Sequence, residues 1–320
     1  MISKKVASEA YIDRDLSWMY FNHRILQEAV KSHVPLLERL SFLGIYSNNL
    51  DEFFRVRMAT LGRIAECEDK SLRSEREHAK LLIKQINKLN NKYSKEYEHA
   101  IHEVTRQLCE ENIYLLKEDE LDEEQKKFVH GFYRQNLSGF VSPIWLSAVR
   151  QLDDETDENI YLGIKMKVSG KKLPDYALIA LPVTECGRFV RLPDKDGKNF
   201  LMYLDDVIRY CLPMIFSGLD YEDFEAYAFK FTKDAEMEID NDLRNGMLQK
   251  ISKGVKSRRK GDALRVIYDA EMPKDLLKRV MNKLNLDKLD TVLGGGRYHN
   301  HKDLMSFPDC GRKDLKYPAW

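Results

Sequence analysis

The chain has 320 residues, and its 52 Lys and Arg balance its 52 Asp and Glu, so the formal net charge is zero. A composition of 43% hydrophobic and 32% charged residues excludes a disordered chain, a collagen and a disulfide-stabilised miniprotein. This length predicts about two domains. We find no transmembrane segment, because no apolar run reaches roughly 18 residues, and no signal peptide. We therefore expect a cytoplasmic protein, and contact with the periphery of a membrane stays open.

Three helices are predicted within residues 1–110. The first begins near Asp15 and places five apolar side chains on one face, at Trp18, Phe21, Ile25, Leu26 and Ala29. The second begins at Pro35, and its apolar pattern breaks at Gly44 and again at residues 47–49. The third runs from about 74 to 110 with an apolar stripe close to a heptad repeat. Three helices with short connectors predict a helical bundle.

The second region, residues 111–290, is predicted to be α+β. Residues 160–168 alternate between apolar and other side chains, which is typical of a strand buried on one face. Other elements follow from similar patterns. They are a helix from Asp122, an acidic loop at 153–158, strands at 176–183, 188–192 and 227–232, and helices near 204–216, 236–253 and 274–284. Residues 291–320 look loop-rich. The fold class is therefore multidomain, α followed by α+β.

Charge and cysteine content restrict the partners and the kind of site. A net charge of zero gives no long-range attraction to nucleic acid, so we expect no nucleic-acid partner, although local cations can still bind a polyanion. The five cysteines are far apart and lack C-x-x-C spacing, which argues against a zinc site and a disulfide framework. We interpret them as reduced thiols. They are Cys67, Cys109, Cys186, Cys211 and Cys310.

Ser47-Asn48-Asn49 is the polar stretch most suggestive of a ligand. Polar residues of this kind weaken a helix, so their position between two apolar segments indicates either a local break or a ligand-facing side. Asn offers an acceptor and two donors, which suits a purine edge or a phosphate oxygen. The alternative is a buried polar joint or a helix N-cap. Asp51 and Glu52 could hold Arg55 or cap the helix where it resumes.

Basic residues near this stretch could meet phosphates. Arg55 and Arg57 lie close to Asn49 in sequence and could contact a nucleotide phosphate, whereas the alternative is surface salt bridges with Asp51 or Glu52. A second basic run could gather phosphates or could be a solvated loop. It comprises Lys253, Lys256, Arg258, Arg259 and Lys260.

Two histidines near the end of the chain have a spacing that could bind a metal. His299 and His301 are two residues apart, but Asp303 is the only carboxylate close to them in sequence. We therefore interpret both as structural loop histidines and predict no metal site in this chain.

Several motifs in order along the chain resemble bacterial polyphosphate kinases, family 1. They are D-L-S-W at 15–18, F-N at 21–22, P-L-L-E-R-L at 35–40, S-N-N-L-D-E-F at 47–53, T-K-D-A-E at 232–236 and G-G-R-Y-H-N at 295–300. The resemblance implies a helical amino-terminal domain at 1–110 and a head domain at 111–290. Residues 291–320 would be a linker toward carboxy-terminal catalytic domains that the chain lacks. Trp320 ends the chain without an element to finish on, so we expect a piece of a longer protein.

The resemblance also implies an activity. Family members reversibly transfer the terminal phosphate of ATP to inorganic polyphosphate through a phosphohistidine, with Mg²⁺. ATP or ADP and polyphosphate would thus be partners, with a homodimer or higher homo-oligomer formed through the head domain. Asn49 matches the family's nucleotide-contacting Asn. The phosphorylated histidine and the Mg²⁺ ligands belong to the missing domains, so we expect no catalytic residue here and no activity from the piece alone. The alternative is a non-catalytic, dimerising module that binds nucleotide or polyphosphate.

Overall fold

A computed structural model describes residues 12–150, 152, 159–233, 263–284 and 291–318. Four predictions lie outside these residues: the acidic loop at 153–158, the helix near 236–253, the basic run at 253–260 and the end of the chain at Trp320. In the described ranges, no helix is both long enough and apolar enough to cross a bilayer.

The amino-terminal region is a helical bundle, as predicted. Its helices are α1 (Arg14–Ala29), α2 (Leu36–Phe53), α3 (Ala59–Glu66) and α4 (Arg73–Glu110). The side chain of Asp13 caps α1 by accepting from the backbone N–H of Asp15, and Pro35 precedes the first residue of α2. The buried stripe of α4 follows the predicted spacing closely, because it faces the other helices along its length.

Two predictions for this bundle are wrong. Of the two interpretations of residues 47–49, the local break is wrong, because α2 is continuous to Phe53 and its irregularity is a π-helical turn at Phe54–Met58. Side chains packed on both sides of α2 therefore outweigh the weak helix propensity of Ser and Asn. Phe21 was predicted to be in the core but is 59% exposed, whereas Asn22 is buried on the inner face.

The rest of the described chain forms two sheets with helices. The smaller sheet has the order β1-β6-β5, and the larger has the order β2-β4-β3-β7-β8-β9. Their strands are β1 (Ile113–Leu116), β2 (Ile144–Trp145), β3 (Tyr161–Val168), β4 (Asp175–Ala180), β5 (Phe189–Arg191), β6 (Asn199–Tyr203), β7 (Tyr221–Lys233), β8 (Ala263–Asp269) and β9 (Thr291–Gly295). The helices are α5 (Glu123–Phe132), α6 (Val183–Cys186), α7 (Leu204–Ile215) and α8 (Lys274–Leu284). The predicted fold class is confirmed.

Residues 161–164 of strand β3 are buried on both faces, whereas Lys165 and Lys167 leave one face of the second half partly exposed, so the prediction of a strand buried on one face is wrong only for the first half. Leu162 and Ile164 belong to a core that includes α7, whereas Tyr161 stacks on Phe229 and Phe231 in the core on the other side. The strand occupies the middle of the six-stranded sheet, between β4 and β7. Layers on both sides of a sheet leave little water-exposed surface on its central strands.

Residues 291–318 return to the helical bundle. Strand β9 pairs in parallel with β8, and a 3₁₀ helix at His301–Ser306 packs against α2. Gly44 permits this approach, because a Cβ there would lie 2.7 Å from Met305 Cγ and 2.8 Å from Met305 N. The bundle and the larger sheet are thus joined through α2. The domain boundaries at residues 110 and 290 stay predictions.

Candidate functional site

A cavity of about 470 Å³ lies where the bundle meets the larger sheet. Helices α2 and α4 form one side, and β8, β9 and the segment that follows β9 form the other. Its walls carry polar and charged side chains such as Ser47, Glu98 and Lys117 beside aromatic and aliphatic ones. The aromatic and aliphatic residues include Tyr46, Leu50, Tyr97, Ile101, Tyr203, Ile267 and Leu293. Glycines 294–296 supply a stretch of wall without side chains.

A cluster of buried charges crosses the junction beside this cavity. Asp51 on α2 accepts from Lys230 Nζ at 2.7 Å and from Arg265 Nη1 at 2.9 Å. Lys230 also donates to Oδ1 of Asn300 at 2.9 Å, and the Arg265 guanidinium lies 4.3 Å from the ring centre of Phe54. Each cation therefore has a partner, as burial of a charge requires.

The electrostatics of this cluster keep Asp51 ionised. Burial alone would raise its pKa, but the neighbouring ammonium of Lys230 and guanidinium of Arg265 outweigh burial and lower the pKa of Asp51. Burial lowers the pKa of Arg265, and Asp51 opposes that change. The three side chains thus form one ionic unit that ties α2 to β7 and β8.

The two histidines of interest lie at the cavity and are neutral at physiological pH. Burial lowers the pKa of His299 to about 3, and it lowers the pKa of His301 to about 3 as well. Within the described part of the chain, no three His, Cys, Asp or Glu residues are grouped so that they could hold a metal ion. His299 is 4% exposed, which fits a residue packed inside the fold.

A second buried network fixes the segment after β9. Asp206 accepts from Tyr298 Oη at 2.6 Å, from Arg209 Nη1 at 2.7 Å and from Arg297 Nη2 at 2.9 Å. The ring of Tyr298 stacks on that of Tyr203 at 4.0 Å between centroids. The G-G-R-Y-H-N motif therefore has a defined conformation that shapes one side of the cavity.

Asn49 lies on a different face of α2. It is half-buried and donates from Nδ2 to Oδ1 of Asn22 at 3.2 Å, and Asn22 donates to the carbonyl of Tyr46 at 3.2 Å. These bonds form a polar joint between α1 and α2, as the alternative interpretation predicted. The structure brings Asn49 to neither the cavity nor the ion cluster, and its contact with a nucleotide stays a prediction.

The predicted roles of Asp51 and Arg57 need correction. Both carboxylate oxygens of Asp51 accept from the larger sheet, and Asp51 caps no renewed helix, because α2 is continuous through it. The contact of Asp51 or Glu52 with Arg55 stays a prediction. Arg57 binds Asp15 through two hydrogen bonds of 2.9 and 3.1 Å, a partner that the sequence did not indicate. Contacts of Arg55 and Arg57 with phosphate stay predictions.

Sequence reasoning missed Lys230, Arg265 and Asn300 as site residues. A signal for two of them was present, because Lys230 and Arg265 each interrupt an apolar run in a strand, at F-K-F and L-R-V. A charged side chain inside such a run has to find a buried partner. Asn300 has a left-handed backbone with φ of 58°, which Asn tolerates better than most residues.

Family models cover most of the chain. The model of the polyphosphate kinase N-terminal domain matches residues 11–116, and that of the polyphosphate kinase middle domain matches residues 124–307. A crystal structure of polyphosphate kinase from Porphyromonas gingivalis is similar with a TM-score of 0.76 and 25% identity, over 97% of this chain and 43% of that chain.

Curated relatives agree with these matches. The polyphosphate kinases of Vibrio cholerae and Vibrio parahaemolyticus are 37% and 35% identical over 314 residues, which is 97% of this chain. That of Escherichia coli is 34% identical over 310 residues. The chain spans 44% of the length of each of these relatives. Because the middle-domain model alone matches more than half of the residues, the chain belongs to the polyphosphate kinase family.

Proposed function

We propose that this chain is part of a polyphosphate kinase that reversibly transfers the terminal phosphate of ATP to inorganic polyphosphate through a phosphohistidine. The observation that supports this is the similarity to polyphosphate kinases along 97% of the chain. The match spans 44% of those relatives, and the phosphorylated histidine and the Mg²⁺ ligands lie in the part that this chain does not match. The 320 residues alone are then inactive, and the whole protein works in the cytoplasm.

In this proposal the chain positions the nucleotide. Phosphoryl transfer depends mainly on placement and on neutralisation of charge. Asn49 contacts the base, and Arg55 and Arg57 contact phosphates. The ion cluster at Asp51 supports such a role, because it holds α2 on the larger sheet while the Asn22 contact holds it on α1. A helix fixed on two sides can present a side chain to a ligand with little loss of freedom on binding.

We also propose that the α+β region forms a homodimer or a higher homo-oligomer. Large apolar side chains in this region are exposed, among them Phe140 at 56% and Leu219 at 51%. Burial of such side chains between two copies would contribute to association. For the 320 residues by themselves, the coverage of only 44% of the relatives favours a second candidate, a dimerising module that binds nucleotide or polyphosphate without turnover.

The decisive experiment compares the 320-residue chain with the full-length protein that contains it. Both are incubated with ATP labelled on the γ-phosphate and with Mg²⁺. We expect the full-length protein to take up acid-labile label and to form polyphosphate, and the 320-residue chain to do neither. Absence of polyphosphate formation by the full-length protein would overturn the proposed activity. Label on the 320-residue chain would overturn the proposed location of the phosphohistidine.

A further inference from the structure

The side-chain amide of Asn49 is held by a buried neighbour on α1. Asn22 is 1% exposed, and its Oδ1 accepts from Nδ2 of Asn49 at 3.2 Å. The same side chain donates from Nδ2 to the backbone carbonyl of Tyr46 at 3.2 Å. Asn22 therefore uses both ends of its amide, one on the backbone of α2 and the other on the side chain of Asn49.

The bond to the backbone fixes which way both amides point. A carbonyl oxygen only accepts hydrogen bonds, so the atom of Asn22 that faces the carbonyl of Tyr46 has to be its nitrogen. The atom of Asn22 that faces Asn49 is then its oxygen, which requires a donor and therefore the nitrogen of Asn49. Turning the Asn49 amide over would place two amide oxygens against each other. The orientation of the Asn49 amide thus depends on Asn22.

A pair of stacked rings holds the two helices one turn away from the amide pair. Trp18 precedes Asn22 by four residues on α1, and Phe53 follows Asn49 by four residues on α2. The centroids of the Trp18 and Phe53 rings are 4.4 Å apart, with 15° between the ring planes. Residues four apart lie on the same face of a helix, so the ring pair and the amide pair belong to one contact between α1 and α2. Packing therefore keeps Asn22 against Asn49.

Asn49 keeps one donor and one acceptor for a ligand. Its Nδ2 carries two N–H groups and uses one on Asn22, whereas its Oδ1 makes no hydrogen bond within the described part of the chain. The side chain is half-buried, so a ligand can reach it. An Asn amide matches adenine, whose 6-amino group donates and whose neighbouring ring nitrogen accepts. Guanine has an oxygen in place of that amino group, and this oxygen would face the amide oxygen of Asn49.

We propose that Asn22 is a positioning residue that makes the nucleotide site select adenine over guanine. The inference rests on the proposed function, in which Asn49 contacts the base while Arg55 and Arg57 contact phosphates. With the phosphates held, the base arrives in one orientation, and the Asn49 amide has to turn over to donate to the oxygen of guanine. That turn breaks the bond to Asn22 and brings two oxygens together. Asn22 touches no nucleotide atom and acts through Asn49.

The test measures kcat and KM for ATP and for GTP in the full-length protein. Asn22→Ala removes the amide that orients Asn49, and Asn22→Leu removes it without leaving a cavity. We expect the preference for ATP, which is the ratio of the two kcat/KM values, to fall about fivefold or more in both variants, mainly through KM. A purely structural role of Asn22 would change both nucleotides by the same factor. An unchanged ratio would overturn the inference, as would a wild type that uses GTP as well as ATP.

Asn22→Asp restores only the end that faces Asn49. One oxygen of the new side chain accepts from Nδ2 of Asn49, but the other cannot donate to the carbonyl of Tyr46 unless it is protonated. We therefore expect the melting temperature to fall and the preference for ATP to be retained. Loss of that preference to the same extent as in Asn22→Ala would contradict the positioning role.

The next residue on α1 provides a matched control. Nε2 of His23 lies 2.6 Å from Oε2 of Glu96, so this contact joins α1 to α4. His23→Leu removes a polar contact of α1 with a different helix, and it should lower the melting temperature without changing the preference for ATP. An equal loss of preference in His23→Leu and Asn22→Ala would mean that any loosening of α1 has this effect, and it would overturn the specific role of Asn22.

Inosine triphosphate separates recognition of position 6 from the size of the base. Its base carries the oxygen of guanine at position 6 but lacks the 2-amino group. The wild type should therefore disfavour it relative to ATP, and Asn22→Ala should reduce this difference. If the wild type disfavours GTP alone, the 2-amino group is responsible and the inference is overturned.

Asn49→Ala distinguishes the inference from the proposed function. A raised KM for ATP in Asn49→Ala, together with an unchanged ATP preference in Asn22→Ala, would overturn the role of Asn22 and leave the proposed contact intact. A lowered ATP preference in both variants would support both. Unchanged KM values in Asn49→Ala would contradict the proposed contact itself, and the role of Asn22 would fall with it.

Discussion

Lys230 donates a hydrogen bond of 2.7 Å to Asp51, although the two residues are 179 positions apart in the chain. Lys230 lies on β7, an inner strand of the larger sheet, and Asp51 lies near the end of α2. Arg265 adds a second bond to the same carboxylate from the neighbouring strand. One carboxylate therefore neutralises two buried cations and joins two parts of the fold.

Replacement of Asp51 should destabilise the protein strongly. Asp51→Asn leaves Lys230 and Arg265 buried without a negative partner, and removal of one member of a buried ion pair typically costs about 3–5 kcal/mol. We expect a loss near the lower value of about 3 kcal/mol in the free energy of unfolding, because Asn can still accept one hydrogen bond. Urea denaturation monitored by circular dichroism measures this loss.

The exposed neighbour Glu52, changed to Gln, is the control and should shift the free energy of unfolding by less than about 0.5 kcal/mol. Equal effects of the two changes would contradict this account.

Close contact at Gly44 should make this position intolerant of any side chain. Gly44→Ala would bring a Cβ within 2.8 Å of the Met305 backbone nitrogen, so the 3₁₀ helix at His301–Ser306 has to move away from α2. Such overpacking typically costs about 1–3 kcal/mol. The loss is measured by thermal or urea denaturation, and faster proteolysis within residues 301–318 would accompany it.

Gly62 provides the matched control for that change. It also lies in a helix, and a Cβ there would meet no atom within 4 Å. Gly62→Ala should therefore raise the free energy of unfolding by about 0.5–1 kcal/mol, because Ala restricts the unfolded chain and favours helix. If Gly44→Ala is as stable as Gly62→Ala, the contact with Met305 does not constrain α2.

The long helix α4 and the ion cluster at Asp51 show what the sequence can and cannot predict. The apolar stripe of α4 repeats within a single continuous segment, so local spacing was sufficient to predict it. The ion cluster depends on residues far apart in sequence, and no local pattern shows which cation will meet Asp51. Residues 291–295 looked like a loop because of their glycines, yet pairing with β8 makes them a strand. Long-range pairing and packing thus decided the features that local propensity missed.

His299 should make the stability of the protein depend on pH. Burial lowers the pKa of His299 from 6.5 to about 3, with smaller contributions from His301 and Arg188. Between these values the unfolded chain binds a proton that the folded chain does not bind. The free energy of unfolding therefore decreases as the pH falls from about 6.5 toward 3, by up to about 1.4 kcal/mol per pH unit from this group.

The variant His299→Gln isolates that contribution. Urea denaturation at several pH values between 4 and 7 gives the free energy of unfolding of the wild type and of the variant as a function of pH. The slope of this plot should be shallower for the variant, by an amount that corresponds to up to about one bound proton. Exposed His33, changed to Gln, is the control for the replacement of a histidine that is not buried. A slope unchanged by His299→Gln would mean that this histidine is protonated in the folded protein.

Asn49 should affect nucleotide binding more than turnover. In the full-length protein, we expect Asn49→Ala to raise the KM for ATP about fivefold or more with a smaller change in kcat, because a lost contact to the base weakens ground state and transition state alike. Steady-state polyphosphate synthesis measures both constants.

Asn49 also bonds to Asn22, so the melting temperature of the variant has to be compared with that of the wild type. The exposed neighbour Asn48, changed to Ala, controls for a general effect on α2 and should leave the KM unchanged. An unchanged KM in Asn49→Ala would remove this residue from the nucleotide site and leave it with the role that its bond to Asn22 already gives it, as part of the joint between α1 and α2.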